Sequence, residues 1–341
     1  MRASQFVPLV LLLASACSPA GGGTPTTGAP TSGTTEAAST TAGSSTSATG
    51  STGPGMTDTG TAGTDGSGGT TTGGLSCMPM EGACREHEDC PSGYCESFSS
   101  APPDPDATCE PAQPEGTIRL TGTVRDFVTR APVAASMRIA GALDAAANPQ
   151  TTPGIAMLDA DAEGRFELVT DQADGQAIGL VALSEAAGYE LTVTGLVEAD
   201  IANGSYPPGA TNHDVWVVPT TFVDELNTKL LADPEVAPFL PLGEVGGVVG
   251  RVREPDCGDG VAGVEIVSRA GAQSTAVIRY LADDGTFTDT ATGPSGLFVI
   301  VAPALAEKFD AMQGGAIVGE REATVGSAPG GVFAVTVILA K

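Results

Sequence analysis

Two stretches decide the fold, and they are copies of one pattern. The first reads LTGTVRDFVTRAPVAA over residues 120–135, followed by DAEGRFELV over 161–169. The second reads VVGRVREPDCGDGVAG over 248–263, followed by GPSGLFVIV over 293–301. In each copy a Gly-x-Val (Gly122 and Val124; Gly250 and Val252) stands eleven residues before a Val-Ala pair (Val133, Ala134; Val261, Ala262). A Gly-x-Phe follows, at Gly164 and Phe166 and at Gly296 and Phe298. Around these anchors the chain is cut into short β-rich runs separated by Gly, Pro, Asp and Asn, at the spacing of a β-sandwich. Ile118, Leu120 and Gly122 alternate with Thr117, Arg119 and Thr121, as a half-buried strand requires. The spacing therefore predicts an all-β chain with a repeated sandwich module.

Outward from the repeat, residues 220–245 hold the one helical pattern. Phe222, Leu226 and Leu230 recur every four residues, Thr221 with Asp224 reads as an N-terminal cap, and Pro234 marks the stop. The helix is expected to pack over the joint of the two copies. In the second copy Val264 and Ile266 take the inward phase that Met137 and Ile139 take in the first, an offset of one residue counted from the Val-Ala pair. Trp216, the only tryptophan, lies in the apolar run VWVV and reads as core.

Upstream, residues 77–114 hold Cys77, Cys84, Cys90, Cys95 and Cys109, and the sixth downstream cysteine is Cys257. In an exported chain an even set reads as three disulfides, with fifteen connectivities left open. Five of the six lie in one module, so one of its thiols is free, pairs between molecules or pairs with Cys257, the last being preferred. A zinc set of Cys84, His87, Cys90 and Cys95 is the weaker reading in an oxidising compartment.

Residues 1–16 carry one positive charge, at Arg2, then the apolar run FVPLVLLL and small residues, the layout of an export signal. The segment ASAC, ending at Cys17, resembles a bacterial lipobox, with Ala14 where leucine is usual. The resemblance implies that Cys17 is acylated, so that the chain meets the membrane through its acyl chains. Ser18, in place of the aspartate that retains such proteins at the inner membrane, implies the outer membrane. Between residues 18 and 76, 54 of 59 residues are Thr, Ser, Gly, Ala or Pro. Such a segment buries too little apolar surface to offset its chain entropy and is expected to be a disordered tether, spanning about 40–45 Å on r.m.s. average.

The formal net charge of −26 argues against nucleic acid as a partner, because phosphates would be repelled and no basic stripe exists to neutralise them. Asp159, Asp161 and Glu163 before Gly164 open like a calcium loop, but Thr170 stands where a closing glutamate belongs. They are weak calcium candidates, and a polar hairpin turn is the preferred reading. No nucleophile elbow, phosphate loop or dinucleotide fingerprint is present, and the two histidines, His87 and His213, belong to no catalytic pattern. Tyr206, beside Pro207 and Pro208, is the aromatic residue placed most like a loop contact.

Gly122-x-Val124, then Pro132-Val133-Ala134, then DADAEGRF at residues 159–166 resemble the carboxypeptidase regulatory-like family. The resemblance implies a prealbumin-like, seven-stranded sandwich without catalytic residues of its own. The expected organisation is a signal peptide (1–16), acylated cysteine and tether (17–76), disulfide-rich module (77–114), first sandwich (115–219), helical joint (220–245) and second, diverged sandwich (246–341). The expected role is a non-enzymatic, lipid-anchored envelope protein, without cofactor, that meets a protein or glycan partner. The alternatives are a calcium-supported or carbohydrate-binding module, and an accessory subunit of an envelope peptidase.

Overall fold

The structure, a computed structural model, describes residues 90, 95–98, 107–111, 117–171, 178–198, 209–254 and 260–340. Cys17, Cys77, Cys84 and Cys257, the tether, His87 and Tyr206 lie outside the described residues. Among the described residues no helix is long and apolar enough to cross a membrane.

The first copy is a two-layered sandwich. After the short strands β1 (Cys95–Glu96) and β2 (Thr108–Cys109) come β3 (Ile118–Asp126), β4 (Ser136–Gly141), helix α1 (Ala142–Ala147), β5 (Ala156–Asp159), β6 (Arg165–Thr170), β7 (Gly179–Glu185), β8 (Thr192–Glu198) and β9 (Gly209–Val217). One layer has the order β6-β3-β9, with β6 antiparallel and β9 parallel to the central β3. The other carries β5, β4, β7 and β8, all antiparallel neighbours. Ile118, Leu120 and Val124 from the first layer and Met137, Ile139, Leu180 and Ala182 from the second form the core between them. Alternate side chains of each strand point inward, so one apolar face per sheet suffices to close it.

The second copy repeats this plan. Helix α2 (Thr220–Leu230) leads to β10 (Val248–Arg253), β11 (Glu265–Ser268), β12 (Val277–Leu281), β13 (Phe287–Thr288), β14 (Leu297–Val301), β15 (Glu307–Gln313), β16 (Ala316–Ile317), β17 (Ala323–Val325) and β18 (Val332–Ile338). Strand β10 lies between antiparallel β14 and parallel β18, as β3 lies between β6 and β9. Strand β11 pairs with β15 as β4 pairs with β7.

The sequence anchors hold equivalent places. Gly122 stands opposite Phe166 across β3 and β6, and Gly250 opposite Phe298 across β10 and β14. The Val124 N–H donates to the Gly164 carbonyl at 2.7 Å, and the Val252 N–H to the Gly296 carbonyl at 2.8 Å. Val133 N–H donates to the Val124 carbonyl at 2.9 Å, and Val261 N–H to the Val252 carbonyl at 3.1 Å. The glycine of Gly-x-Val leaves room for the facing ring: a Cβ on Gly250 would sit 2.1 Å from Phe298 Cζ. The offset after the Val-Ala pair is real, because Met137, Ile139, Val264 and Ile266 are all buried. The link from the valine pair to the buried phase is one residue shorter in the second copy.

The copies are fused through a sheet. Strand β18 pairs in parallel with β8, Val332 to Ala334 against Thr192 to Thr194, giving one nine-stranded sheet of order β13-β12-β14-β10-β18-β8-β7-β4-β5. The β6-β3-β9 layer covers one face of its first-copy end. The layer built on β11 and β15 covers the opposite face, and Phe298, Ile300, Phe309 and Phe333 fill the core between it and the shared sheet. Helix α2 covers the remaining face over β10 and β14, packing Val223, Leu226 and Leu230 with Val249, Val299 and Val301. The helix starts on Pro219, with no side-chain cap, so Thr221 is already inside it. Its fully buried residues are Val223, Leu226 and Leu230, while Phe222 turns to the ring of Phe127 at 6.3 Å.

In the cysteine module Cys90 is bonded to Cys109, and Cys95 is also disulfide-bonded. Its strip Cys95 to Phe98 lies along the outer face of β3. Thr121 and Thr123 donate to the carbonyls of Ser97 and Phe98, each at 2.6 Å, and Arg119 pairs with Glu96 at 2.8 Å. Strand β3 is therefore buried on both faces, where alternation alone predicts one.

Candidate functional site

The site lies where the shared sheet parts. Strands β8 and β18 are paired for only three residues each, ending at Thr194 and Ala334. Both run on, β8 to Glu198 and β18 to Ile338, each bonded to its other neighbour, β7 and β10. A cavity of about 340 Å³ occupies the opening, within the size range of small-molecule sites. Because the sheet is parted there, side chains from both of its faces reach the cavity. Val181, Val193 and Phe333 give an apolar wall from one face, and Asp214, Trp216 and Thr336 line it from the other. Gly195 leaves the wall open, since a Cβ added to it would meet nothing within 4 Å.

Each polar group is set by its strand. Asp214 and Trp216 alternate with the core residues Val215 and Val217 of β9 and so point out of the first sandwich toward the second. Arg253 lies on the face of β10 that also carries Val249. Asp214 Oδ1 accepts from Arg125 Nε at 2.9 Å, and Oδ2 accepts from Arg253 Nη1 at 3.4 Å. The Asp214 and Arg253 side chains are only 3% and 5% exposed, so this ion pair crosses the joint away from water. Trp216 meets Phe127 edge-to-face at 5.6 Å. Its N–H on the backbone donates to Thr194 Oγ1, and that of Val218 to Thr192 Oγ1, both at 3.1 Å, which ties β9 to β8. Thr336 Oγ1 is buried without a hydrogen-bond partner among the described residues.

The corner is rich in guanidinium groups. Arg251 lies 5.2 Å above the Phe127 ring. Burial, then the charges of Arg130 and Arg253, bring its pKa down to about 10. Burial also lowers Arg253, against the pull of Asp214. Charge that is desolvated and crowded by like charge is stabilised by any anionic group brought to it. The arrangement offers recognition: an apolar wall, the ion-paired side chains of Asp214 and Arg253, and a hydroxyl.

The residues singled out from sequence fall elsewhere. Asp161 Oδ1 accepts from the backbone N–H of Glu163 and Arg165, at 3.0 and 2.7 Å, closing the turn before β6. Asp159 accepts from Ser136 Oγ at 2.6 Å. Among the described residues no group of three His, Cys, Asp or Glu side chains is placed to hold a metal ion. Trp216 is buried, as expected of core, yet it also lines the cavity. Asp214, Arg253 and Thr336 were not among the sequence candidates. The signal for two of them was there: charged residues set into the apolar runs HDVWVV and VVGRVR, where a strand buried on both faces holds a charge only with a partner.

No family model matches the chain, and no curated protein matches it. Among solved structures it is similar to the Bacillus anthracis TIE protein, at 11% identity over 66% of this chain with a TM-score of 0.20; the match spans 34% of that protein, about a third of its length. It is also similar to the shaft pilin SpaA from Lactobacillus rhamnosus GG, at 11% identity, 66% of this chain, 98% of that chain and a TM-score of 0.20. The Streptococcal ancillary pilin matches at 11% identity over 68% of this chain and 65% of its own, again with a TM-score of 0.20. At these values the likenesses carry no functional argument, and the all-β sandwich fold stands on the chain's own sheets.

Proposed function

We propose that the chain is a non-enzymatic envelope protein, held to the outer membrane by acyl chains on Cys17, that presents a fused double sandwich for adhesion, scaffolding or binding of a protein or glycan partner. The observation that carries the reading is the shared nine-stranded sheet. Two modules continuous through one sheet make a stiff unit with a fixed surface, which suits presentation. The export signal, the lipobox-like ASAC and the Thr/Ser/Gly-rich stretch supply the address and the reach.

Globomycin treatment, or Cys17→Ala, is expected to accumulate the unprocessed precursor, and the mature protein is expected to carry the mass of acyl chains on its first residue. Unchanged processing together with an unmodified N-terminus would overturn the anchor.

A further inference from the structure

We propose that the cavity between β8 and β18 is a binding site for a small uncharged molecule with a hydrocarbon body, held between Ile178, Val181 and Val193 of the first copy and Val325 and Phe333 of the second. Three observations carry this. First, the cavity holds about 340 Å³, room for roughly a dozen heavy atoms by proportion to an apolar cavity of about 150 Å³ that takes benzene. Its wall is largely apolar and drawn from both copies, so an occupant gains by moving hydrocarbon out of water and touches both sandwiches at once. Second, little charge faces the lumen. The side chains of Asp214 and Arg253 are bonded to each other and only 3% and 5% exposed, and Arg251 is not among the described residues that line the cavity. A charged group brought in would lose its water against apolar side chains. Third, Ile178 stands at the rim, 37% exposed, with φ +75°. Left-handed backbone is unfavourable for a β-branched residue, and such strain gathers at ligand clamps; here it sets a branched apolar side chain on the cavity. The site is independent of the membrane anchor and stands whether or not Cys17 is acylated.

The chain carries its own reporter, because Trp216 is its only tryptophan and lines the cavity. The full chain, with its disulfides intact and in detergent-free buffer, is titrated with 8-bromooctan-1-ol, whose heavy atom quenches indole fluorescence on contact. The comparison probes are 8-bromooctanoate and the trimethylammonium analogue of the same length. The expected result is saturable quenching by the alcohol, at a half-saturating concentration about tenfold lower than for either ion. The melting temperature is expected to rise as the alcohol passes half-saturation, since it binds the folded chain with both copies in place. Gly195→Phe is expected to abolish the quenching with the melting temperature of the free protein preserved, because a Cβ there meets nothing within 4 Å and the ring enters the opening. Ile178→Gly is expected to weaken binding several-fold while the free protein melts no lower than the parent, because glycine adopts a positive φ without strain. Absence of saturable quenching by the alcohol, binding of either ion as tight as that of the alcohol, quenching that survives a folded Gly195→Phe variant, or an Ile178→Gly variant that binds like the parent would each overturn the proposal.

Discussion

Glu307 shows how single residues secure the second sandwich. Its Oε1 accepts from the hydroxyls of Ser268 and Ser274, each at 2.5 Å, and its Oε2 from the Ala304 N–H at 2.7 Å. Burial pushes its pKa up, but these three bonds outweigh it and hold the carboxyl below the ordinary 4.5. A folded pKa below the unfolded one means stability that is present in full above the unfolded value and is lost as pH falls through the folded value. Glu307→Gln is therefore predicted to lose about 1.5–3 kcal/mol at pH 7 and to approach the parent's stability under strongly acid conditions, read as melting temperature against pH. An equal loss at both ends of the titration would contradict this assignment. The Asp214 bridge across the joint is a different case. A buried ion pair returns little net stability after desolvation, so its presence there is better explained by specificity of the joint.

At the scale of elements, the repeat is a turn and a strand crossing made twice. Gly164 and Gly296 have positive φ, +74° and +66°, and a Cβ on them would lie 2.5 Å from the Val124 carbonyl oxygen and 2.1 Å from that of Val252. Left-handed backbone and close approach thus act together. Gly188 has φ +85° but nothing within 4 Å of an added Cβ, so it carries the backbone cost alone. Alanine at Gly188 is predicted to cost about 1 kcal/mol. Alanine at Gly164 or Gly296 is predicted to cost roughly twice that or more, because a backbone oxygen must also move. Denaturation midpoints of the three variants check the order, and equal costs would show that the close approach is relieved freely.

These elements are also where the sequence was most legible. Gly-x-Val, Val-Ala and Gly-x-Phe are local signals, and each falls at an equivalent hydrogen bond or strand pair in both copies. The helix was legible as an amphipathic stretch. Its start was not, since Pro219 takes the cap position and Val223, rather than Phe222, turns into the sheet. The second burial of β3 was hidden for a related reason: Thr121 and Thr123 look like solvent-facing residues until Ser97 and Phe98, from a different segment, accept their hydroxyls.

For the whole molecule, the shared sheet could not be read from the sequence. The pairing of β18 with β8 joins residues about 140 apart through three backbone pairs, and edge-to-edge pairing leaves little mark on side-chain pattern. The cavity has the same origin, because it is the place where that pairing stops. The central claim is that the copies form one body through this sheet, and two neighbouring amides test it most directly. The Phe333 N–H donates to the Gly247 carbonyl within the second copy, while the Val332 N–H donates to the Leu191 carbonyl of the first, both at 2.9 Å. Residue-resolved hydrogen exchange reads the two separately. The fused sheet predicts that Val332 and Phe333 exchange at the same slow rate, set by global unfolding. Rapid exchange at Val332, as at an open strand edge, beside a protected Phe333 would show that the copies come apart and would contradict the fused sheet.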